Sequence, residues 1–145
     1  MKTAYTFGRR LPGTPADLRI EVEDALKAQG FGIITEIDVA AVLKAKIGVD
    51  SAPYLILGAC NPKLAYQAID IDPSVGTLLP CNVVLRSEGD ITVVEAIDPV
   101  EAMEIASSPR MLTIAMEARS RLARAIGALR PRPRPAATRR AAAPA

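Results

Sequence analysis

A chain of 145 residues, half of them apolar, is long enough for one domain with its own core and needs neither disulfides nor a structural metal to fold. It contains no histidine, which excludes Ser-His-Asp and Cys-His catalysis, HExxH zinc sites and histidine proton relays. The net charge of +2 hides an asymmetry, because five arginines fall in the last sixteen residues and the rest carries thirteen Lys and Arg against sixteen acids, so overall basicity says nothing about nucleic-acid binding by the folded part.

Residues 3–9 alternate and read as a first strand. Thr14 and Pro15 open a helix as cap and first turn, with Leu18, Val22, Ala25 and Leu26 on its apolar stripe and Gly30 at its end. Phe31 to Ile37 reads as a second strand. Asp38 caps a short helix carrying Val39, Val42, Leu43 and Ile47, stopped by Gly48. Tyr54 to Leu57 is a buried strand, and Asn61-Pro62 opens a third helix that must finish before Pro73. Pro80–Arg86 and Ile91–Ile97 flank Ser87-Glu88-Gly89-Asp90, a hairpin signal. Asp98-Pro99-Val100-Glu101 is a further cap. Ser108-Pro109 starts the longest helix, with Leu112, Ala115, Met116, Leu122, Ala123, Ile126 and Leu129 expected to face inward. Pro131 ends it. The order β-α-β-α-β-α-β-β-α-α predicts one α+β domain over residues 1–130 with a partly antiparallel sheet. An extended, disordered Arg/Pro/Ala tail is expected over 131–145.

Neither a Rossmann fingerprint nor a P-loop occurs. The first ten residues lack the apolar stretch of a secretory signal, no apolar run is long enough for a membrane span, and the two cysteines form no disulfide framework. A cytoplasmic protein with reduced thiols is the expectation.

Three segments, GFGIITEIDV (30–39), PYLILGACNPKLAYQAI (53–69) and LLPCNVVL (78–85), resemble the signature blocks of domain-of-unknown-function family 302, a bacterial and archaeal family of small α+β proteins. The resemblance covers residues 3–128. It implies a curved, mainly antiparallel sheet with helices packed on it, somewhat like the TATA-binding-protein fold. It implies no activity and transfers no catalytic residue, and the Arg-Pro tail has no counterpart in the family pattern.

The residues themselves offer one constellation, the repeated dipeptide Cys60-Asn61 and Cys81-Asn82. Cys60 precedes a helix N-terminus, where amides and the helix dipole favour a thiolate. If the third and fourth strands are neighbours, the two sulfurs come within reach of one metal or one disulfide. Against this, Cys81 alternates with Leu79, Val83 and Leu85, the pattern of a small buried hydrophobe, and two thiols are an incomplete zinc site. Asn61 reads as a helix cap. Asn82, disfavoured in a strand, holds a loop or faces a ligand. Glu36 with Asp38, and Glu95 with Asp98, resemble paired carboxylates, but the two aspartates read better as caps. Arg119, on the apolar side of the last helix, either snorkels or meets an interior carboxylate or anionic ligand.

The sequence names no function; these residues fit best a non-enzymatic small-ligand-binding or accessory module with a candidate site at Cys60, Asn61, Cys81 and Asn82. The alternatives are a thiol-redox or soft-metal protein using Cys60 and Cys81, and an interaction protein meeting acidic partners through its arginine tail. The sequence indicates no catalytic residue, no metal ligand set and no particular cofactor. Nucleic acid is expected at most weakly, through the tail, and a homodimer is compatible with the sequence.

Overall fold

In the computed structural model the residues described are 1–130, and the tail expected over 131–145 lies outside them. Five strands make one wholly antiparallel sheet: β1 (Thr6–Pro12), β2 (Gly32–Asp38), β3 (Tyr54–Cys60), β4 (Cys81–Glu88) and β5 (Ile91–Ile97). Their order across the sheet is β1-β5-β4-β3-β2, with β1 and β2 at the edges. The helices are α1 (Pro15–Ala28), α2 (Val39–Ile47), α3 (Pro62–Ile71), the short α4 (Pro99–Ala102) and α5 (Pro109–Gly127). The fold class and the element order are those the sequence predicts.

Helix starts are set by local chemistry. Thr14 and Asp17 form a reciprocal capping box on α1. Side chains of Asp38, Asn61, Asp98 and Ser108 each accept a backbone N–H in the first turn of the helix they precede. Gly48 ends α2 in the left-handed region at φ 69°, where a side chain would be strained.

The first strand departs from expectation. The Thr3 hydroxyl accepts the N–H groups of Tyr5 and Thr6, which closes a turn where a strand is predicted. β1 therefore begins at Thr6 and runs on to Pro12, burying Leu11. Two 3-10 turns, Pro73–Leu78 and Glu104–Ala106, were not legible in the apolar pattern.

The main core lies on one face of the sheet. Leu57, Val83, Leu85 and Val94 meet Leu18, Val22 and Leu26 of α1 and Leu122 and Ile126 of α5. A second cluster, including Val75, Met103 and Met111, joins α3 and its following turn to α4 and the start of α5. The face that α5 buries is Met111, Ala115, Ala118, Leu122, Ala125 and Ile126. Leu112, Met116 and Ala123, expected inside, are exposed. The larger apolar residues at 112 and 116 suggested one phase of the 3.6 period. The phase that wins is the one that buries Met111, Leu122 and Ile126 together, with Ala115, Ala118 and Ala125 completing the stripe.

Gly58 is required where it stands. A Cβ there would overlap Thr35 Oγ1 of β2 and lie 2.8 Å from Pro80 Cγ.

Candidate functional site: an apolar cavity at the two thiols

β3 and β4 are neighbours, with Ala59 opposite Cys81. Cys60 is the last residue of β3 and Cys81 the first of β4, so both stand at the same end of the sheet. Beside them α3 and α5 leave a cavity of about 320 Å³ between themselves and the sheet. Cys60, Asn61 and Cys81 line it together with Phe31, Leu64 and Met103. Small residues on the helices, Ala65, Ala68 and Ala118, make the room. Among the described residues no charged one contributes to the wall. Ile34 and Ile69 line the cavity and are also exposed, which places them at its mouth.

The structure brings three of the four predicted residues together and separates the fourth. Successive residues of a strand point to opposite faces. Cys81 packs towards the helix-covered core, while Asn82 is exposed and lines a different concavity of about 530 Å³. That second hollow also contains Tyr5, Tyr54, Arg86 and Glu95. The period-two rule, applied to Cys81-Asn82, already carries this separation. The alanines that open the cavity gave no such signal, because space depends on how far helices stand from the sheet.

Asn61 acts as the cap that the sequence indicates, its Oδ1 accepting Leu64 N–H at 3.1 Å. Both thiols are free and not at disulfide distance. Burial pushes the Cys81 thiol up to about 11, and negative charge on Cys60 would add to the rise. Cys81 is therefore a neutral thiol at physiological pH, the opposite of an activated nucleophile. Among the described residues no three His, Cys, Asp or Glu side chains group as metal ligands.

The paired-carboxylate readings dissolve into separate duties. Glu36 accepts Arg19 at 2.7 Å while Asp38 caps α2. Glu95 accepts Arg86 and Thr6, while Asp98 caps α4 and pairs with Arg119 at 3.2 Å. Of the readings open for Arg119, contact with an interior carboxylate is the one realised.

Comparison with known proteins agrees with this architecture. Residues 7–129 match the family described as Domain of unknown function DUF302. The chain belongs to that family. The DUF302 chain is also similar to a solved structure, an uncharacterized conserved DUF302 protein from Bacillus stearothermophilus, at 26% identity and a TM-score of 0.81. That likeness covers 88% of this chain and 100% of the other. No curated protein matches. Among the described residues no helix is long and apolar enough to cross a membrane.

Proposed function

We propose that this DUF302 chain is a binding module for a small, uncharged, largely apolar molecule, held in the cavity at Cys60, Asn61 and Cys81. One observation carries the reading: a hollow of about 320 Å³ whose wall is hydrocarbon and thiol, with no charged side chain. Ligand sites begin at about 300 Å³, are mostly apolar and carry a few polar groups that orient the ligand. The Asn61 amide is the polar group at this wall, its oxygen spent on the cap and its nitrogen without a hydrogen bond among the described residues. A charged ligand would lose its hydration there without gaining a counter-ion. The two thiols, one kept neutral by burial, serve as soft apolar surface rather than as redox or metal-binding groups. Free thiols suit a reducing compartment such as the cytoplasm.

The test is binding of N-phenyl-1-naphthylamine, a neutral apolar fluorophore, to the full chain and to Ala65→Phe, which fills the hollow. Saturable one-to-one enhancement that weakens at least ~10-fold in the variant supports the site. No enhancement, or equal binding by a folded variant, rejects it. Native mass spectrometry of the freshly purified chain then identifies any natural occupant.

A further inference from the structure

One residue of the Cys-Asn repeat stands outside the apolar cavity. Asn82 lies in β4, which pairs with a strand on each side, and asparagine is disfavoured there. Its amide has no hydrogen bond among the described residues, and Gly58, opposite it on β3, brings no side chain to meet it. A residue that breaks a local preference without a compensating contact marks a position where function is expected. Asn82 lines the hollow of about 530 Å³ on the sheet face turned away from the main core, a volume within the range of small-molecule sites.

The floor of this hollow is held in one arrangement by a chain of hydrogen bonds. The Thr6 hydroxyl donates to Glu95 Oε2 at 3.0 Å, so its oxygen accepts the Thr3 hydroxyl at 2.6 Å. Arg86 Nε donates to the other Glu95 oxygen at 3.1 Å, and Arg86 Nη1 donates to Glu88, which Arg10 also holds. Gly8 leaves room for the chain, since a Cβ there would stand 2.7 Å from Cβ of Glu95. Four polar groups of the lining are left without partners among the described residues: the Asn82 amide, Arg86 Nη2 and the hydroxyls of Tyr5 and Tyr54. Tyr5 is 62% exposed, so one aromatic ring at this wall is largely uncovered.

We propose that this hollow is a second binding site, for an uncharged planar heterocycle of the nucleobase kind, taken as the free nucleoside. Tyrosine rings and guanidinium planes stack on bases, and an asparagine amide both donates to and accepts from a base edge. Charge sets the form of the ligand. Among the described residues the lining carries one cation and one anion, Arg86 and Glu95, and they are paired with each other. A phosphate would find no unpaired cation there, whereas a neutral ring loses no counter-ion. The apolar cavity offers no such set of donors, so the two sites select different molecules and neither depends on the other.

Nuclear magnetic resonance titration of the full chain with adenosine, guanosine, cytidine and uridine tests the site. At least one nucleoside should move the Asn82 side-chain amide saturably, with a Kd below about 1 mM. Asn82→Val should weaken that binding at least ~10-fold with an unchanged or higher melting temperature, because valine suits a strand. Tyr54→Leu should weaken it as well in a folded chain. Ala65→Phe, which fills the apolar cavity, should leave it unchanged. The proposal is overturned if no nucleoside moves the Asn82 amide, or if binding survives Asn82→Val or is lost in Ala65→Phe. A 5′-monophosphate that binds at least ~10-fold more tightly than its nucleoside also overturns it, since phosphate would then carry the affinity.

Discussion

Arg119 Nε lies 3.2 Å from Oδ2 of Asp98, whose side chain is only 4% exposed and whose other oxygen accepts Val100 N–H. One carboxylate thus starts α4 and fastens it to the middle of α5. Asp98→Ala removes both contacts and should destabilise by about 2 kcal/mol, discounted because Arg119 is itself partly in water. Asp98→Asn keeps an acceptor for the cap and should lose about half as much. Urea denaturation at neutral pH ranks the two. Equal losses would show that the cap contributes nothing, and an asparagine variant as stable as the parent would show the same of the ion pair.

Cys81 sets a pH dependence at the alkaline end. Its folded value of about 11 lies above the ordinary 9.0, so the unfolded chain releases the proton first as pH rises. The contribution is therefore intact below pH 9 and lost as pH climbs towards 11, on the order of 2 kcal/mol for a shift of this size. Cys81→Ala should remove this slope while lowering stability at neutral pH. In Cys60→Ser, iodoacetamide should label Cys81 at pH 8 roughly a thousandfold more slowly than it labels a fully ionised thiol. Fast labelling at pH 8 in the folded state would mean that the thiol is not shielded.

Gly58→Ala should be among the most damaging single methyl additions in the protein. The new Cβ meets Thr35 on one side and Pro80 on the other, so the β2–β3 pair or the start of β4 must move. A loss of about 2 kcal/mol or more is expected, in the range of overpacked cores. Adding Thr35→Ala should recover part of it. If the double variant is as unstable as the sum of its singles, the clash with Thr35 is not the cause.

The two apolar classes in the second half of the chain should separate cleanly. Leu122→Ala empties a fully buried position between α5 and the sheet and should cost about 2–5 kcal/mol. Ile105→Ser, at a position 90% exposed, should stay within about 0.5 kcal/mol of the parent. Thermal melts of the two variants check this directly.

The sequence made the helix starts legible because a cap is a local event. Thr14, Asp38, Asn61, Asp98 and Ser108 each act within three residues of chain, and all five cap as expected. The buried face of α5 depends instead on which phase of the helix meets the sheet, and there the stripe through Met111 and Leu122 outranked Leu112 and Met116. The turn at Thr3 displaced β1 because one hydroxyl competes for backbone N–H groups that a strand would leave to its neighbours. At the candidate site the placing of Cys60 and Cys81 at one end of the sheet follows from strands three and four being adjacent, but the two sulfurs do not come to disulfide distance. The hollow beside them was not legible, because it is made by side chains that are absent rather than present.

The strand order has a consequence for how the chain is made. β1 has a single sheet neighbour, β5, and Thr6 meets Ile97, ninety-one residues further on. At about 5–20 residues per second a ribosome needs roughly 5–20 s to supply that partner. Through that interval Phe7 and Leu11 have no strand beside them, and the carbonyls of Ile126, Gly127 and Leu129 that Arg9 later holds do not yet exist. The amino-terminal strand is the first to emerge and among the last to find its place, so the nascent domain exposes its earliest apolar residues until almost all of it has been translated.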